Sequence, residues 1–252
     1  MVVFRHTVCI DALPRPWCAD AVGVLLDLAE ASRTEAGRLL LPDGSPVPGT
    51  RLVEGRHLRP GAVYTTEDDA GAVRVRIGEW NRHSRLRAAV GVRTPEGHLA
   101  LQVALHGVDR LRLLELSGRT RGAGERPAST AFRGSAVLRG DAWWAAADQG
   151  RAARTPPLHV RLDHRLLRAG IRVVPRPADF GRWEVGVTVT VRGRHLLRPV
   201  AAVVLRVAQR RLHRSLAREL DGMAARWNAA LPGLLRHDRD ELRAALLDEL
   251  RH

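Results

Sequence analysis

Between Leu196 and Leu231 apolar residues return every third or fourth position, at Val204, Ala208, Leu212, Leu216, Leu220, Met223, Trp227 and Leu231. That spacing predicts one amphipathic helix with a continuous stripe to bury. Arg206, Arg210, Arg214 and Arg218 fall on its other face. Pro199 suits the first turn, where its missing N–H costs nothing, and Asp221-Gly222 is the weak point inside. At 1.5 Å per residue the helix would run roughly 50 Å, so its stripe needs a broad partner.

Elsewhere the period is mostly two. Phe4, His6, Val8 and Ile10 alternate with Arg5, Thr7 and Cys9, which predicts a half-buried strand that Leu13-Pro14-Arg15-Pro16 stops. Val22, Leu25, Leu26 and Ala29 have helical spacing, for a short helix from Asp20 to about Ala31 and possible extension to Leu39. A loop of prolines and glycines follows, from Pro42 to Gly49. From residue 51 to 118 alternating runs sit at Leu52–Leu58, Ala62–Thr66, Val73–Ile77, Leu86–Val92, Leu99–Leu105 and Leu111–Leu116, joined by connections too short for parallel crossovers. They predict an antiparallel meander. Arg119–Ser129 reads as a flexible loop. Strands follow at Thr130–Leu138, Leu158–Leu162 and Ile171–Val173, and the clearest runs through Trp183, Val185, Val187, Val189 and Val191. Asp238 and Glu241 have capping-box spacing before a last short helix.

The order predicts an α+β fold, a curved antiparallel sheet gripping a long C-terminal helix, with a short terminal helix appended. Residues 1–235 would form one domain with an enlarged middle and 236–252 a helical tail. A split near residues 119–128 is the alternative.

Composition changes this picture little. The net charge of +14 raises an anionic partner, nucleic acid or membrane. All 41 basic residues are arginine, however, and they are spread along the chain, as a coding bias would spread them. Cys9 and Cys18 make neither a disulfide framework nor a zinc site, and read as reduced, buried thiols. The start, MVVFRHTVCIDA, is too polar for a secretory signal, and Val200–Ala208 is too short to span a bilayer. A cytoplasmic protein is the expectation.

His6-Thr7-Val8-Cys9-Ile10-Asp11-Ala12 with Pro14 and Trp17, and the valine-rich strand running through Gly193 and Leu196 into the arginine-bearing helix to Trp227, resemble the opening and closing elements of the START-like superfamily. That superfamily, also called SRPBCC, includes polyketide cyclases and lipid-transfer proteins. The resemblance covers about a third of the chain. It implies a helix-grip fold whose cavity, between sheet and long helix, holds an apolar, polyketide-like or lipid-like small molecule. Trp183, Val185 and Val187 from the last strand and Val204, Leu205, Leu212 and Leu216 from the helix would line it. The superfamily holds both enzymes and binders, so the fold does not choose between them.

Motifs for chemistry are sparse. His159 and His164 would face opposite sides of one strand, and His98 and His106 would stand about 27 Å apart, so no metal site is expected. No G-x-S-x-G is present, and Gly118–Gly124 runs into Pro127 where a phosphate-binding helix should start, so no cofactor is expected either. Two clusters stand out. Glu79-Trp80-Asn81-Arg82-His83 gathers four polar groups, and Asp141 precedes Trp143-Trp144. Trp80 and Trp144 could line a cavity rim, and His83, Asp141 or Arg82 could move a proton in a cyclase-type enzyme. The plainer reading is a hairpin turn and a helix start. A third possibility is an anionic-surface or nucleic-acid binder using Arg206, Arg210, Arg211, Arg214 and Arg218.

Overall fold

A computed structural model of the chain describes residues 1–68, 71–122, 131–150, 154–193 and 198–251, with backbone alone at 68 and 198–210. Among the described residues thirteen strands form, in antiparallel pairs, together with four α-helices. They divide between two compact units, residues 1–13 with 132–235 and residues 14–131 with 236–252.

The first unit orders its strands β1 (Val2–Asp11), β13 (Arg182–Gly193), β12 (Leu167–Ala178), β11 (Leu158–His164) and β10 (Phe132–Arg139). Helix α2 (Gly140–Gln149) packs on β12 and β10, and α3 (Arg198–Leu234) packs on β1 and β13. The register aligns Val8, Val185 and Pro175, then His6, Val187 and Val173, then Phe4, Val189 and Ile171, so alternation in sequence becomes one apolar face.

On β1, backbone groups that turn away from β13 are met by side chains of α3. Asn228 accepts from the Asp11 N–H at 2.8 Å and donates to the Cys9 carbonyl at 3.1 Å. Trp227 donates its indole N–H to the Asp11 carbonyl at 2.9 Å, and His213 Nε2 lies 3.2 Å from the Arg5 carbonyl. His6 and Asp221 add a contact of 2.7 Å. An asparagine amide supplies the donor and acceptor of a peptide unit, so Asn228 stands where a further strand would pair.

The second unit holds α1 (Arg15–Ala31), strands β2 (Arg33–Glu35) through β9 (Leu113–Gly122) in sequential order, and α4 (Arg239–Glu249). Pro at the first turn starts α1. It stops at Ser32, whose backbone is extended, so the expected run to Leu39 is replaced by the β2–β3 (Arg38–Leu40) hairpin. Ala36 (φ 48) and Gly37 (φ 78) give that hairpin the left-handed pair its tight turn needs. Strand β4 (Pro46–Glu54) begins inside the proline-rich segment expected to be a loop. The meander of β5 (Val63–Asp68), β6 (Gly71–Asn81), β7 (Arg85–Thr94), β8 (Gly97–His106) and β9 follows the predicted alternation. Its core gathers Ala62, Tyr64 and Ile77 against Leu39, Leu52, Val75, Trp80 and Ala88. Asp238 and Glu241 form the expected capping box, with Asp238 Oδ1 accepting from the N–H groups of Asp240 and Glu241.

The predicted architecture, one curved sheet gripping the long helix, is corrected. Strands β2–β9 belong to the other unit, and among the described residues α3 packs chiefly on β1 and then on β13. Helix α3 spans 37 residues, and among its described side chains one side is covered. Ala224 and Leu231 are buried, whereas Leu212, Met223 and Trp227 are 41%, 50% and 36% exposed. A period of three to four identifies an apolar side but not how much neighbouring sheet will reach it. Cys18 is half-buried, while Cys9 is exposed, because alternation on β1 turns it outward. Most of the predicted 119–129 loop lies outside the described residues; β9 continues to Gly122. Among the described residues no helix is long and apolar enough to cross a membrane.

If Asn228 satisfies the outward edge of β1, Asn228→Ala strands an amide and a carbonyl and lowers stability by about 1–2 kcal/mol, read from urea melts. Asn228→Gln, which keeps the amide one methylene away, should recover part of the loss.

Candidate functional site

The residues expected to line a cavity fall into three sets. Trp183, Val185 and Val187 lie together on the apolar face of the first unit, 4%, 5% and 8% exposed. Helix α2 closes that end. Trp143 meets Trp183 edge-on at 6.0 Å and 72°, and Trp144 is buried with its indole N–H donating to the Leu13 carbonyl at 3.3 Å. Leu216 is half-buried and Leu212 exposed on α3. Val204 and Leu205 lie outside the described side chains.

Along the same face cover is uneven: on β1, Phe4 and Val2 are buried, while β11 and β10 are less covered. Val189, Ile171 and Val160, aligned across β13, β12 and β11, are half-buried. Leu162, one row further, is 36% exposed, and beyond it Phe132 is 41% exposed with its ring stacked on His164 at 4.8 Å. His164, in the row of Phe132, is itself 8% exposed, so the less covered part of the face is a patch around Leu162 and Phe132.

Asp141 is exposed in the first turn of α2, where a carboxylate suits the positive end of the helix dipole. His83 and Arg82 belong to the second unit, at the β6–β7 turn. Asn81 Oδ1 accepts from the N–H groups of His83 and Ser84, both at 3.1 Å, so the polar run makes an Asx-type turn with His83 exposed at its tip. Arg82 spreads its guanidinium between Asp27 (2.8 Å) and Glu30 (2.7 Å) on α1, and Trp80 donates to the other oxygen of Glu30 at 3.1 Å. Asp27 also receives Arg239 from α4 at 2.6 Å. Hydrogen bonding from Arg82 holds the Asp27 carboxyl below its ordinary value against the cost of burial, and Arg239 adds a lesser pull in the same direction as Arg82. Arg82 is raised in turn, first by Asp27. A guanidinium engaged this way clamps α1 to the hairpin and has no free face for proton transfer.

One polar group escaped the sequence reading. His57 Nδ1 lies 2.8 Å from the Tyr64 hydroxyl, and its Nε2 lies 3.1 Å from the Ala29 carbonyl and 3.2 Å from Ser32 Oγ. Tyr64 accepts from the Leu58 N–H at 2.9 Å, and Ser32 donates to the Ala29 carbonyl at 2.7 Å. Burial pushes the Tyr64 phenol up. A serine, histidine and tyrosine in sequence resemble a proton relay, but each has a structural partner. Ser32 and His57 serve the last carbonyls of α1, as a helix end requires. Nothing in the spacing of residues 32, 57 and 64 could have announced it, because the loop at 55–62 brings them together.

Among the described residues no three His, Cys, Asp or Glu side chains gather as a metal site would need. No known protein-family model matches the chain, and no curated protein matches it.

The Asp27 cluster has a definite pH signature. A carboxyl whose folded pKa lies below its unfolded value binds its proton more readily in the unfolded chain. Its contribution is therefore whole above about pH 4 and is lost as pH falls through the lower folded value. Asp27→Asn should cost about 1 kcal/mol at pH 7, since both ion pairs are partly exposed, and the difference from the parent should shrink in urea melts near pH 2.

Proposed function

We propose that the protein binds an apolar small molecule, lipid-like or polyketide-like, on the inner face of the first unit's sheet. The observation that carries this reading is the uneven cover of one apolar face, buried at Trp183, Val185 and Phe4, half-buried at Val189, Ile171 and Val160, and exposed at Leu162 and Phe132. A face built only as core would be covered along its length. An apolar face closed at Trp183 and uncovered around Leu162 and Phe132 suits a ligand that leaves one end in water. Trp183 closes the inner end, and Ile171 and Val160 form the floor.

The reading is one of binding. Asp141 has a role at the start of α2, Arg82 is engaged by two carboxylates, and His83 stands at an exposed turn. An acid/base cyclase would need one of them beside the apolar face.

A second reading has its own observation. The outer face of the same sheet carries Arg139 on β10, Arg161 on β11 and Arg172 on β12, grouped around His159. Burial and then these three cations depress the His159 imidazole below its ordinary value. A field that disfavours a further positive charge favours an anion, and a flat arginine surface suits a polyanion.

For the first reading, an environment-sensitive apolar dye should bind with micromolar affinity, and Ile171→Trp, which fills the floor, should weaken it roughly tenfold with the circular dichroism unchanged. His83→Ala and Asp141→Ala should leave that affinity alone; equal affinity in the Ile171 variant would sink the proposal. For the second, fluorescence anisotropy with a labelled oligonucleotide should give an affinity that falls steeply with salt and loses slope in Arg161→Ala/Arg172→Ala. Salt-insensitive binding, or none, rejects it.

A further inference from the structure

Helix α3 carries two apolar stripes side by side, and its own chain uses one. The stripe towards β1 contains Ala217, Leu220, Ala224 and Leu231, with His213, Asp221 and Asn228 reaching the strand. One residue round the helix lies the second, of Leu212, Leu216, Met223, Trp227, Ala230 and Leu234, again in steps of three or four apart from the gap at Glu219. Leu212, Met223 and Leu234 are 41%, 50% and 45% exposed. The stripe runs roughly 33 Å, far longer than the scattered apolar residues of an ordinary surface.

The second stripe reads nearly the same in both directions from Met223. Leu212 and Leu234 stand equally far on either side, and so do Leu216 and Ala230, a large residue matched with a small one. Glu219 and Arg226 flank Met223 on one side of the stripe, both exposed. Among the described residues neither takes part in an ion pair of its own chain. The Arg226 guanidinium extends back across Gly222, where a Cβ would come within 3.8 Å of it, and so towards the turn that carries Glu219.

We infer that this stripe docks a second copy of the same chain, as an antiparallel α3–α3 pair whose twofold axis passes beside Met223. Under that symmetry each Leu212 faces Leu234 of the other copy and each Leu216 faces Ala230, so bulk meets space along the seam. Glu219 of each copy lies against Arg226 of the other, and the two charge pairs form together. A parallel pair would carry these flanking residues to opposite sides of the seam, where neither charge pair forms. The charges therefore select both the occupant, a second copy, and its direction. Trp227 joins the two interfaces, with its indole N–H on β1 and its ring on the seam.

Charge reversal tests this on the full chain by light scattering. The parent should run as a dimer at micromolar concentration. Glu219→Arg and Arg226→Glu should each raise the dimer dissociation constant roughly tenfold or more, and the double exchange should restore it. Both side chains are exposed, so circular dichroism should stay constant in all three. In a Cys9→Ser/Cys18→Ala background, Met223→Cys should form a disulfide-linked dimer on oxidation, whereas Arg218→Cys on the outer side should not. A parent that is monomeric at 100 micromolar, a double exchange that fails to restore the dimer, or equal crosslinking at both positions overturns the proposal. A monomer that binds anionic vesicles through this stripe overturns it as well, and assigns the surface to lipid.

Discussion

The outward edge of β1 is the constraint on which the first unit depends. An edge strand turns alternate amides and carbonyls away from its neighbour, and each must find a partner or remain in water. Here the partners come from one helix, which offers a histidine, an indole and a primary amide at positions 213, 227 and 228. Meeting those groups fixes both where α3 lies along the strand and which side of it faces down. Burial of Ala224 and Leu231 then follows, and so does the exposure of the neighbouring stripe. The same contact that protects the edge leaves an apolar surface for another molecule.

The second unit solves a related problem at a helix end. Four carbonyls at the C-terminus of any α-helix lack internal partners. On α1, Ser32 and His57 reach the Ala29 carbonyl, and Tyr64 holds the histidine from beneath. One turn earlier, Asp27 and Glu30 draw in Arg82 from the hairpin and Arg239 from α4. Because arginine is the only long basic side chain available, the ion pairs that cross between elements are guanidinium forks. Their planar geometry lets one Arg82 hold two carboxylates at once.

These interactions also separate surface meant for partners from surface that supports the fold. The polar run at 79–83 looked like chemistry because it concentrated ionisable groups, yet Arg82 and Trp80 hold α1, Asn81 shapes the turn and Glu79 lies near Arg85. The apolar face carried by Val160, Ile171 and Val189 and the outer stripe of α3 are different. Neither is fully covered by the chain's own packing.

Much of the local structure was legible in the sequence. Alternation located β1, β13 and the meander, three-to-four spacing located α3, and Asp238 with Glu241 announced the last helix, since each pattern reflects how one element's own side chains are arranged. The β2–β3 hairpin and the early start of β4 were not legible, because backbone pairing with neighbours outweighed the propensities of Leu39 and Pro46. Trp183, Val185 and Val187 could be assigned to one face from their spacing alone, but whether that face would be fully covered depended on how far α2 and α3 reach. The division into two units, the choice between the two stripes of α3, and the meeting of Ser32, His57 and Tyr64 were decided only in three dimensions. Each depends on which distant residues arrive at a surface, and sequence spacing carries no record of that.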